Sequence, residues 1–279
     1  MIAVFLAGAS ALVWGTADYC GGRATQRAPA LAVAVTSQIA SLPLLAAAVL
    51  VLGGDLYASD LLWGAGAGVA GLVGLVLLYR GLSTGAMAIV APVTAVTGAL
   101  VPMAIGLVTE RVPPPIPLAG AACAIVAIAL VSVAPSDRAA SGSGTTGIIL
   151  LALASGAAFG LFFALFAQTS ESAGVWPLVG ARVASVALGL VVVASIRVPL
   201  RAVRPITAWV VVTGVGDIAA NWLYLLAVAD GLLSVVAPIA ALYPVSTVLL
   251  ALTIDKERVR PVQLIGLGLA ATALVLTAV

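Results

Sequence analysis

"DGLLSVVAPIAALYPVSTVLL", residues 230–250, is an apolar run long enough to cross a bilayer, and it contains two prolines. Pro238 and Pro244 each delete a backbone donor where hydrocarbon offers no substitute. Residues 84–104, "TGAMAIVAPVTAVTGALVPMA", repeat the pattern with Pro92 and Pro102. Broken backbone at membrane depth is tolerated where it is buried in protein or lines a cavity. A pair of helix breaks at Pro92/Pro102 and Pro238/Pro244 therefore points to a central cavity.

The composition agrees about the solvent. The 279 residues are 63% hydrophobic and 8% charged, with mean hydropathy +1.26, whereas soluble domains carry about 25% charged residues. The expected class is an all-α membrane protein. Ten transmembrane helices are expected, over residues 2–22, 29–52, 60–82, 84–108, 115–134, 146–168, 175–196, 206–229, 232–253 and 261–279. The N-terminal run lacks the positive n-region of a signal peptide, so it is expected to remain as the first helix. Nothing between the spans is large enough to be a separate domain. The net charge of +2 gives no argument for nucleic acid. Histidine is absent, and Cys20 and Cys123 fit no ligand spacing, so neither metal nor cofactor is expected.

Near the midpoint, the polar stretch 135–147, "PSDRAASGSGTTG", divides the chain into residues 1–134 and 148–279. The two parts resemble each other. "ASALVWG" (9–15) matches "ASGAAFG" (154–160), "GAMAIVAP" (85–92) matches "GLLSVVAP" (231–238), and "ERVPP" (110–114) matches "ERVRP" (257–261). Three matches in order, at one nearly constant offset, indicate a repeat. Five spans per repeat is an odd number, so the second half enters the membrane inverted. Two inverted five-helix repeats are the sequence signature of alternating access around a midplane site.

These residues also carry a family likeness. Two five-helix repeats, the Trp14-Gly15 and Phe159-Gly160 pairs, "VVAPIAALYPVSTVLLA" and "ERV" before each closing helix resemble the drug/metabolite transporter superfamily, EamA type. The resemblance implies a ten-helix bacterial inner-membrane transporter, commonly an exporter of amino acids, other metabolites or drugs. The internal symmetry is incomplete. Asp18 faces Phe163 in the alignment, Gln38 faces Arg182 and Gly98 faces Pro244, so a cavity built from both halves is chemically lopsided.

A charge at the bilayer centre costs about 2.5–3.5 kcal/mol on insertion scales, so each one needs a reason. Counted from the loop near 197–205, Arg182 and Asp217 differ in depth by roughly 3 Å at a rise of about 1.5 Å per residue, and are expected to meet. Asn221 and Tyr224 follow Asp217 along one helical face. This stripe reads either as a substrate site or as a structural ion pair locking two helices. Trp14, Gln38, Phe159, Phe163 and Tyr243 complete the candidate substrate-binding set. Asp18 lies one turn beyond Trp14 with no obvious cationic partner in the sequence, and is the candidate for proton coupling; it could instead snorkel to the interface. "GAGAGVAGLVG" (64–74) lies inside a span with no strand before it, which makes it a helix-packing stripe, not a nucleotide loop.

The expected function is secondary-active transport of a small molecule across the lipid bilayer, with protons as the candidate coupling ion. A passive facilitator or channel is the alternative. A membrane-embedded enzyme is disfavoured because no Asp-rich motif, HExxH or G-x-S-x-G is present. Ten of the twelve Lys/Arg fall on one face of the expected topology: Arg23, Arg27, Arg80, Arg138, Arg197, Arg201, Arg204, Lys256, Arg258 and Arg260. The positive-inside rule makes that face cytoplasmic and puts both termini on the other side. The resemblance implies cytoplasmic termini, and the charge pattern is followed here.

Overall fold

The structure, a computed structural model, describes residues 1–82, 87–110, 112–131, 145–254 and 261–278. The described residues contain no strand. In chain order the helices are α1 (Ile2–Thr25), α2 (Ala30–Ala40), α3 (Leu42–Leu52), α4 (Ala58–Leu82), α5 (Met87–Thr109), α6 (Pro115–Val131), α7 (Thr145–Phe166), α8 (Trp176–Ser195), α9 (Thr207–Asp230), α10 (Leu233–Ala240), α11 (Tyr243–Ile254) and α12 (Pro261–Ala278). All-helical folding follows from composition, because a chain this apolar must satisfy its backbone groups within each segment.

Among the described residues, six helical stretches are long and apolar enough to cross a membrane, and four shorter apolar ones accompany them. The chain is therefore a multi-pass membrane protein. The expected linker 135–147 lies outside the described residues up to 144, and α7 already begins within it at Thr145.

The helix breaks differ from expectation. α5 runs without interruption from Met87 to Thr109, through Pro92 and Pro102. An interior proline deletes one bond and wedges one turn, so prolines ten residues apart leave intact turns between them. Pro238 and Pro244 are closer together, and there the helix does stop. α10 ends at Ala240, and α11 restarts at Tyr243 after a turn at Ala241–Leu242. The other break is between α2 and α3 at Ser41. It was missed because its cause, Pro43, sits in "SLPLL" within an otherwise unremarkable apolar span. Pro43 occupies the first turn of α3, where its missing donor costs nothing.

The helices pack as two bundles, each drawing on both halves of the sequence. α1 lies along α9, with α2 against α9 and α10/α11 against α1. α4 lies against both α7 and α8, and α5 against α7. α6 pairs with α12. The bundles meet where α5 touches α10 and where α8 touches α2, α3 and α9. Both helix breaks therefore belong to the α1–α2–α3–α9–α10–α11 bundle.

Within bundles the backbones approach closely, because lipid gives helices no hydrophobic reason to associate and contact must come from small residues. A Cβ on Gly64 would lie 2.0 Å from Pro177 O, one on Gly68 2.1 Å from Ala181 O, and one on Gly214 2.0 Å from Ser37 O. Ser10 Oγ donates to Ala220 O, and Ser155 Oγ donates to Gly74 O, each at 2.8 Å. Gly64→Leu should lower the thermal unfolding temperature in detergent, costing about 1–3 kcal/mol through overpacking. Gly268→Ala, where a Cβ would meet nothing within 4 Å, should be neutral or gain up to about 1 kcal/mol from helix propensity. Equal effects of the two changes would contradict the packing.

Candidate functional site

Arg182 on α8 and Asp217 on α9 meet, with Arg182 Nη2 donating to Asp217 Oδ2 at 2.6 Å. The Arg182 side chain is 6% exposed and that of Asp217 36%. Asp217 Oδ1 accepts a second bond, from Trp14 Nε1 of α1 at 3.3 Å. One carboxylate thus binds both bundles, taking Arg182 from one and Trp14 from its own. Asn221 follows a turn later and donates from Nδ2 to the backbone oxygen of Asp217 at 2.7 Å.

Around this pair, several buried polar atoms have no protein partner: Arg182 Nε, Asn221 Oδ1 and, on α2, Gln38 Oε1. α2 packs on both α8 and α9. An unmet buried polar group costs about 1–3 kcal/mol. One donor and two acceptors in this state offer hydrogen bonds to a polar ligand.

An aromatic cluster closes the site on the side of residues 221 and 224. Trp14 packs on Phe162, Phe163 and Tyr224, with ring centroids 6.0, 5.5 and 6.0 Å away. Phe163 meets Tyr224 at 4.9 Å, and Phe162 meets Phe166 at 4.9 Å. Tyr224 OH donates to Phe163 O at 2.9 Å, another link between the bundles. Tyr224 and Phe166 are fully buried.

Asp18 lies one helical turn from Trp14 on the same face of α1 and keeps part of its surface exposed. Exposure falls from Asp18 through Asp217 to none at Tyr224. At the ends of α1 and α8 and the start of α9 lie Arg23, Arg27, Arg197, Arg201 and Arg204. We call this the basic face. On the opposite face lie the starts of α4 and α8 and the end of α7. There Asp60 at the start of α4 accepts from the Ser170 amide at 3.0 Å and from its hydroxyl, and Trp176 Nε1 donates to Gly54 O at 3.2 Å.

Not every candidate joins this group. Phe159 packs against Gly74 of α4 and Gly98 of α5, outside the ring cluster, because its position on α7 faces those helices. Tyr243 is half-buried at the start of α11, where its backbone oxygen accepts from Ser246 and Thr247 and approaches Gly15. Pro238 and Pro102 are buried in packing, Pro102 against Gly160, and Pro244 opens α11. The side chain of Pro92 lies outside the described residues. Sequence reasoning missed Asp60, whose position at a helix start looked like an ordinary loop charge.

Residues 146–279 match the EamA-like transporter family. No curated protein matches the chain in sequence. A solved structure, a crystal structure of a protein of unstated kind, is similar in fold at TM-score 0.77 and 18% identity, over 98% of this chain and 95% of that one.

Arg182→Ala should destabilise the protein by about 3–5 kcal/mol, since it strands the Asp217 charge between helices. Adding Asp217→Ala should recover part of that loss. Additive losses in a double-mutant cycle of thermal or denaturant unfolding would show that the two groups are not energetic partners.

Proposed function

From the membership of residues 146–279 in the EamA-like transporter family, we propose that this chain is a secondary-active carrier. It moves a small metabolite, amino acid or drug by alternating access, most simply as an exporter. One observation carries the reading: the Arg182–Asp217 pair joins two helix bundles, with Arg182 buried, Asp217 partly exposed, and the Arg182 Nε, Asn221 Oδ1 and Gln38 Oε1 atoms unbonded among the described residues. A carrier needs such a site, whereas an open pore needs access from both faces at once.

Matched contacts support ten spans arranged as two inverted five-helix repeats. Ser10–Ala220 and Ser155–Gly74 join equivalent residues of the two halves. So do the approaches of Gly68 to Ala181 and of Gly214 to Ser37. Between α6 and α12, a Cβ on Gly120 would meet Thr277 and one on Gly266 would meet Val131, again an equivalent pair. Halves related in this way can exchange shapes and turn the site over.

In this reading Arg182, Asp217, Asn221 and Gln38 bind the polar part of the substrate, and Trp14, Tyr224 and Phe163 its apolar part. Asp18, where water reaches it, exchanges the coupling proton. A thermal-shift screen of purified protein over amino acids, small metabolites and cationic drugs supplies the substrate for the test. In proteoliposomes its uptake should saturate and should accelerate when unlabelled substrate is preloaded. Asp18→Asn should abolish accumulation driven by a pH gradient while keeping exchange at equal pH. Wild-type uptake that neither saturates nor responds to a pH gradient would make the protein a facilitator.

A further inference from the structure

Beyond the central site, two more buried polar atoms lack a partner among the described residues: Glu110 Oε2 and Ser234 Oγ. They lie together at the opposite face, where the end of α5 meets the start of α10. Glu110 Oε1 accepts from the Leu233 amide at 3.1 Å. Leu233 is the first residue of α10, whose own N-cap position, Leu232, provides no side-chain bond. Gly106, one turn before Glu110, lets the two backbones touch, and a Cβ there would lie 2.5 Å from Ser234 N.

The position of this bond gives it meaning. A helix cap normally comes from the residue just before the helix. Here it comes from the other bundle, on the face that must part if the site is to turn over. A carboxylate is well suited to the partly positive start of a helix. Only one of its oxygens is bonded, and the neighbouring hydroxyl is bonded to nothing, so the joint is weaker than a fully satisfied one. That suits a contact made in one state and broken in the other.

We propose that Glu110 is a latch holding the opposite face closed, a positioning residue that sets the balance between the two orientations of the site. The proposal rests on the alternating-access reading above. It is independent of which molecule is carried.

The test reads the side from which a thiol is reached. In a Cys20→Ala/Cys123→Ala background, Phe166→Cys reports the opposite face and Asp18→Cys the basic face. Each is labelled with a membrane-impermeant methanethiosulfonate in right-side-out and inverted vesicles. Adding Glu110→Ala should raise the labelling rate of Phe166→Cys from the opposite face about fivefold or more, and lower that of Asp18→Cys from the basic face, as a population shift requires. Glu110→Gln, which keeps an acceptor for Leu233, should stay close to the parent. Gly106→Ala should produce the same reciprocal shift by wedging α5 from α10, and carries the test if Glu110→Ala does not fold. No change at Phe166→Cys in Glu110→Ala and Gly106→Ala would overturn the latch. So would a rise at both reporters, which signals loosening and not exchange. Parent reporters labelled equally from both faces would instead overturn alternating access itself, and the latch with it.

Discussion

A guanidinium held between membrane helices has to be neutralised where it sits, and Arg182 is neutralised by Asp217. Their attraction is strong because the surroundings are poor in water, and the same surroundings make either group costly alone. The pair therefore fixes how α8 lies against α9. Since α8 and α9 belong to different bundles, it fixes how the bundles meet. The two ends are not equally enclosed. Arg182 is sunk in protein, and Asp217 is partly exposed.

The bundles themselves are held by a different force. In lipid, leucine gains little by leaving one apolar neighbour for another, so cohesion comes from backbones that approach closely and from hydroxyls that bond across helices. Gly64, Gly68, Gly214 and Gly120 allow the first, and Ser10 and Ser155 supply the second. Between the bundles the joints are one ion pair, a Tyr224 hydroxyl on a backbone oxygen, a layer of rings, the Glu110–Leu233 bond and close approaches at Gly106 and Gly189. Tight packing within each bundle and a few discrete joints between them are what rigid-body motion requires.

Much of this was legible in the sequence because a membrane supplies a ruler. Depth counted from a loop brought Arg182 and Asp217 together without any knowledge of packing. The stripe Asp217–Asn221–Tyr224 followed from helical period alone. What was not legible depended on which helices are neighbours. Phe159 and Phe163 lie on one helix, yet only Phe163 reaches Trp14, a difference set by how α7 turns between α4, α5 and α9. The prolines misled because sequence gives their positions but not their consequences: α5 absorbs Pro92 and Pro102, and the overlooked Pro43 ends α2. Glu110 stood in the sequence only as part of the repeated "ERV", because its partner, the start of α10, is far away in the chain.

Two bundles that rock about a central ion pair must move in opposite senses at the two membrane faces. Electron–electron distance measurements in nanodiscs test this directly. One spin-label pair at Ile2 and Val108 spans the bundles at the opposite face, and one at Leu150 and Trp209 spans them at the basic face. The account predicts two distance populations for each pair, with the fraction of longer distances at one face matching the fraction of shorter distances at the other. A single, unchanging distance at both faces, through any change of pH or added substrate, would contradict it.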